Sequence, residues 1–138
     1  EVYYVDELAF WAGVGGRWVP PGRPVPEVGD SWTIAAALLN NGAPTYFQPI
    51  DDTGHSPMGI ASVVTDADKI RVTYSRAAGR VGAVSVTVDE AWCGVYAVGA
   101  SVGLTFTDIY VRNHLTGAQV DPTSMPTNGN LWIHGSMR

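Results

Sequence analysis

A strict two-residue alternation in residues 69–90, KIRVTYSRAAGRVGAVSVTVDE, constrains the fold more than any other feature of the chain. Ile70, Val72 and Tyr74 share one parity, with Arg71, Thr73 and Ser75 on the other. After Arg76-Ala77-Ala78-Gly79-Arg80 the period resumes, with Val84, Val86 and Val88 set against Ser85, Thr87 and Asp89. Successive strand side chains point to opposite faces, so this pattern predicts two half-buried antiparallel strands joined by a short loop. The stretch VGASVGLTFTDIYVR continues the theme. Ala100, Val102, Leu104 and Phe106 share one face, and Gly99, Ser101, Gly103, Thr105 and Thr107 the other. Glycines inside so long a strand favour a bend or bulge, and a break near Thr107-Asp108 is expected to split it into 97–106 and 109–112. On this alternation Val72, Val84, Val86, Val102, Leu104 and Ile133 are the expected core.

Elsewhere the strand signals are shorter. In residues 31–39, SWTIAAALL, the alanines favour a helix and Asp30 or Ser31 could cap one, but Trp32, Thr33 and Ile34 favour a strand. Asn40-Asn41-Gly42 reads as a tight turn, so 31–39 is taken as a strand in a hairpin with 45–50. IASVVT at 60–65 is a short strand, and AWCGV interrupts the pattern after Glu90. Residues 113–130 are turn chemistry, and LWIHGSM closes the chain with Leu131 and Ile133 alternating against Trp132 and His134. About eight strands with Gly- and Pro-rich connections predict an all-β fold, an antiparallel, jelly-roll-like β-sandwich.

Residues 1–138 are read as a single β-sandwich domain in which 1–30 is an aromatic and Pro/Gly-rich N-terminal arm. Within 1–19, Tyr3, Tyr4, Phe10, Trp11 and Trp18 suit an extended or turn-rich segment better than the short helix open to 6–12. PPGRPVPEVGD at 20–30 has four prolines, which cannot donate to a sheet ladder. It reads as a surface loop, with an arm laid over a neighbouring subunit as the alternative. The opening EVYYVDE reads as a processed form or a piece of a longer protein.

Composition excludes several function classes. A net charge of −5, with Lys69 the only lysine, leaves no basic footprint for nucleic acid. Cys93 is the single cysteine, so no intrachain disulfide or Cys-based zinc site is expected. No apolar run is long enough to span a bilayer, and membrane insertion is not expected. No cofactor is implied.

The chemistry-bearing residues gather in loops. Asp52-Thr53-Gly54 matches the aspartic-protease triplet, but that chemistry needs two aspartates sharing a proton. Gln48-Pro49-Ile50 leads in and His55 follows, which suits a polar turn. Asp51, Asp52, His55 and Ser56 form a hydrolase triad only in a specific three-dimensional arrangement, and no G-x-S-x-G elbow accompanies them. His55, His114 and His134 lack metal-ligand spacing, and Asp66-Ala67-Asp68 lacks the Gly and Glu of a calcium loop. Hence no catalytic residue, no metal site and no enzyme is expected. The candidate ligand-binding residues are Trp92, Asp51, Asp52 and His55. An exposed ring beside loop carboxylates offers sugars an apolar platform and hydrogen bonds. Trp11, Trp18, Trp32 and Trp132 are the other rings to weigh, against the usual burial of tryptophan in core or interface.

Residues 68–137 resemble the C-terminal β-sandwich domains of tail-fibre, receptor-binding and other virion structural proteins of tailed bacteriophages. KIRVTYSRAAGRVGAVSVTVDE, VGASVGLTFTDIYV and GNLWIHGSM carry the resemblance. It implies a non-enzymatic structural and adhesion module on a virion, a homotrimer that touches other virion proteins and host-surface glycans. The competing readings are a carbohydrate-binding module of a secreted enzyme, a capsid decoration protein, and a small hydrolase built on Asp52 or its loop.

Overall fold

The computed structural model describes residues 12–14, 17–19 and 31–138. The chain divides into two compact units, Glu1–Asp30 and Ser31–Arg138. In the first, β1 (Ala12–Val14) pairs antiparallel with β2 (Arg17–Val19), Gly13 facing Trp18. Of the helix open to 6–12 only Ala12 is described, and it begins β1; residues 6–11 and the proline-rich 20–30 lie outside the described residues.

The second unit is an antiparallel β-sandwich of eight strands. They are β3 (Trp32–Asn40), β4 (Phe47–Pro49), β5 (Ile60–Thr65), β6 (Ile70–Tyr74), β7 (Val81–Val88), β8 (Tyr96–Val102), β9 (Phe106–Asn113) and β10 (Asn130–Met137). Sheet I runs β4-β3-β10-β7 and sheet II runs β5-β6-β9-β8. The β4–β5, β6–β7, β7–β8 and β9–β10 connections pass between sheets, while β3–β4, β5–β6 and β8–β9 stay within one. β3 is a strand despite its alanines because β10 pairs with it along nearly its whole length, Trp32 to Leu39. Tertiary pairing outweighs a helix propensity worth under ~1 kcal/mol per residue.

The core lies between the sheets. Ile34 and Leu38 of β3, Phe47 of β4, and Leu131, Ile133 and Met137 of β10 meet Val63 of β5, Ile70, Val72 and Tyr74 of β6, and Ile109 and Val111 of β9. Burying each large aliphatic side chain contributes roughly 1.5–3 kcal/mol. The inner strands β3, β10, β6 and β9 supply most of it.

The expected core needs correction at its margins. Val72 and Ile133 are buried, but Val84 and Val86 are half-buried, and Val102 and Leu104 are 40% and 53% exposed. β7 and β8 are the outermost strands of their sheets, so their inward side chains have a neighbouring strand on one side only. Leu104 lies in the turn between β8 and β9.

The break in the long strand falls at 103–105, not at Thr107-Asp108. Thr107 is fully buried, its hydroxyl 2.6 Å from Tyr74 Oη, and the Tyr74 hydroxyl also donates to Gly103 O. Asn40, read as a turn residue, is the buried end of β3. Its amide donates to Met125 O and Pro126 O, both at 3.0 Å, and its Oδ1 accepts from Gly42 N. The turn that follows places Gly42 at φ 73° and Tyr46 at φ 53°, and this delays β4 to Phe47.

Candidate functional site

The loop carrying Asp51, Asp52 and His55 is an excursion from the edge of sheet I. Ile50 N donates to Ala37 O at 2.8 Å, the chain leaves β3, and Met58 returns to exchange two backbone bonds with Ala35. Asp52 and His55 close the tip by pairing their backbones. Asp52 Oδ1 accepts from Gly54 N at 2.9 Å and lies 2.8 Å from His55 Nδ1. The His55 hydrogen bond, then the Gly54 N–H, holds the Asp52 carboxyl below its ordinary range. The Asp-Thr-Gly triplet is thus a self-capped turn. Its carboxylate is bound by His55 and Gly54 and not by a second aspartate. Asp51 is exposed beside it. Among the described residues, no group of three or more His, Cys, Asp or Glu could hold a metal ion.

Trp92 is not a surface platform. Asp89 caps a 3₁₀ turn over Glu90–Trp92, and that turn swings the indole inward until it is 1% exposed. Phe47 and Tyr96 meet it edge-to-face, each at a centroid distance of 6.0 Å. Its Nε1 donates to Asn128 Oδ1 at 2.8 Å. Buried indoles need such a partner. The interrupting AWCGV segment is therefore a core plug, and it has no ring face open to a sugar.

The structure brings Asp52 and His55 into contact and leaves Trp92 apart, in the β7–β8 connection. Sequence reasoning missed a second cluster, on the outer face of sheet II. There Arg71 lies across from Asp108, Gly99 across from Tyr110 and Ala97 across from Arg112. Arg71 Nε and Nη2 donate to Asp108 Oδ1 and Oδ2 at 2.8 and 2.9 Å, and its guanidinium sits 3.8 Å from the Phe106 ring centroid. The Asp108 carboxylate makes the Arg71 guanidinium still harder to deprotonate. Beside this pair, Ala97, Gly99, Ser101, Tyr110 and Arg112 line an open trough of about 340 Å³. The usable signal was the shared parity of Tyr110 and Arg112 within DIYVR.

The outer face of sheet I is different. Thr33, Ala35 and Ala37 of β3, Trp132, His134 and Ser136 of β10, and Ala83, Ser85 and Thr87 of β7 share it in register. None of these is an Asp, Glu, Lys or Arg. Trp132 is the large ring on it, 39% exposed.

The two long sides of the sandwich also differ. On one, β4 is short and ends in Pro49, and β5 is bulged between Ile60 and Ser62. Gln48 Nε2 donates to Val63 O at 2.9 Å and Phe47 N to Thr65 Oγ1 at 3.3 Å, joining the sheets there. On the other, β7 and β8 are longer and carry neither charge nor proline, and β7 is bulged at Gly82, where its register with β10 shifts between Ser136 and Met137. Among the described residues no further strand pairs with either. Val81, Val84, Val86, Val88 and Val98 are only partly buried along this side.

No family model, curated protein sequence or solved structure matches the chain.

Proposed function

We propose that the chain is a non-enzymatic structural and adhesion module of a virion, of the tail-fibre or receptor-binding kind, that works as a homotrimer and contacts host-surface glycans. The observation that carries this reading is the β7–β8 side. Proteins commonly blunt sheet edges with charge, proline, bulges or short strands. The β4–β5 side uses three of these devices. The β7–β8 side has one of them, a bulge at Gly82 near the start of β7; its strands of eight and seven residues carry neither charge nor proline, and a row of valines there is left half-covered. Packing copies along this side completes the burial of those valines. The self-capped Asp52 turn, whose carboxylate is bound by His55 and Gly54, supports a non-catalytic role.

Solution mass by light scattering after size exclusion tests the reading. The expected mass is three times the 14.7 kDa of the chain. Ala100→Lys with Val102→Glu, both at exposed positions of β8, should reduce it to one copy while the strand signature of the spectrum persists. A monomeric parent chain at every concentration rejects the trimer.

The exposure of Trp132 on a sheet face without Asp, Glu, Lys or Arg favours a second reading, a carbohydrate-binding module attached to an enzyme. A monomer that binds neutral polysaccharide, and loses that binding in Trp132→Ala, selects it.

A further inference from the structure

We infer that the trough on the outer face of β8 and β9 binds an acidic sugar residue, with Tyr110 as the stacking ring and Arg112 as the anion ligand. This rests on the adhesion reading above and names its site and ligand class. The floor is made by β8, whose outward side chains are small: Ala97, Gly99 and Ser101. A side chain added at Gly99 would meet nothing within 4 Å, so the space beside Tyr110 is open. The volume, about 340 Å³, lies at the small end of sites for small molecules and suits one or two sugar rings.

The two arginines of this face are committed differently. Arg71 is committed to Asp108 by two hydrogen bonds. Arg112 makes no ion pair among the described residues. Its Nη1 donates to Gly117 O at 3.2 Å, which fixes one end of the fork and leaves other N–H donors for a ligand. A guanidinium fork matches a carboxylate in two-point geometry. A sugar ring has an apolar face for the Tyr110 ring and hydroxyls for Ser101. A uronic acid combines these features with a carboxylate, and a neutral hexose lacks the last of them.

Titration of the whole chain, followed by amide chemical shifts, tests this with glucuronic acid, glucose and inorganic phosphate as probes. Glucuronic acid should give saturable shifts centred on Gly99, Ala100, Ser101 and Tyr110, and glucose should bind at least tenfold more weakly. Tyr110→Ala and Arg112→Gln should each remove the response. Gly99→Val, which fills the trough and suits a strand, should block it while the rest of the spectrum is unchanged. Absence of saturable shifts, equal response to glucose, or an equal response to phosphate overturns the proposal, as does normal binding by Gly99→Val. A trimer that ignores glucuronic acid defeats this site alone, whereas a monomer that binds it defeats the trimer reading and keeps the site.

Discussion

Arg71 and Asp108 face each other across β6 and β9, joined by two parallel hydrogen bonds at 2.8 and 2.9 Å. The Asp108 side chain is only 7% exposed, although it belongs to the outer face of its sheet. Arg71→Leu therefore strands a covered carboxylate, which is strongly destabilising, whereas removing both charges is far milder. The expected result is a melting temperature lowered by several degrees in Arg71→Leu and largely recovered in Arg71→Leu with Asp108→Asn. Additive losses in a thermal double-mutant cycle would show that the pair is not coupled.

Gly129 packs directly on the Trp92 indole. A methyl group at residue 129 would lie 2.7 Å from Trp92 Cε2, closer than side chains tolerate. Gly129→Ala should cost about 1–3 kcal/mol in urea unfolding, as overpacking does. Trp92→Phe in the same chain should remove part of that extra cost. Wild-type stability in Gly129→Ala would mean that the loop moves away freely.

Ile133 and Val86 are cross-strand partners with different surroundings. Ile133 is 2% exposed on an inner strand, and Val86 is half-buried on an outer one. Ile133→Ala should cost about 2–5 kcal/mol, as expected for a buried aliphatic side chain. Val86→Ala should cost less at low protein concentration. Its penalty should grow with concentration, because a trimer seated on the β7–β8 side adds stability by mass action. Urea midpoints measured across a concentration series read both effects, and a concentration-independent penalty counts against that side as the interface.

The Asp52–His55 turn predicts a local acid response. The Asp52 carboxyl is held below its ordinary range by His55 and then Gly54. Its contribution to turn order is complete above the unfolded carboxylate value and is lost as the pH falls through the lower folded one. Both groups are largely exposed, so the effect is confined to the loop and weakened by solvent. A carboxyl titration by NMR should show the Asp52 midpoint rising in His55→Gln. An unchanged midpoint removes His55 as the cause.

The sandwich was legible where period-two patterns coincide with inner strands. Ile70, Val72 and Tyr74 point inward as their spacing requires, and Leu131 and Ile133 do the same. The same alternation misled at Val102 and Leu104, because parity gives the face of a strand and not its place in the sheet. Which strands are outermost depends on pairings between distant segments, such as β10 with both β3 and β7. Trp92 escaped for a related reason: a 3₁₀ turn breaks the period and redirects the ring. In the candidate site, Asp52 and His55 were readable as neighbours from their three-residue spacing. The Tyr110–Arg112 trough was not, because its floor comes from β8 and exists only once β8 and β9 pair.

The β10 strand is the last of the sandwich in sequence and sits second from the edge of sheet I, between β3 and β7. During synthesis β3 and β7 therefore wait, unjoined, for a central rung that the ribosome delivers after all the others. Sheet II has all four of its strands by residue 113 and can assemble first. Sheet I cannot close until residues 130–137 emerge, and its inner faces stay sticky until then. Closure of sheet I is thus the late step, keyed to one segment, and a peptide with that sequence is the natural competitor for its own nascent chain.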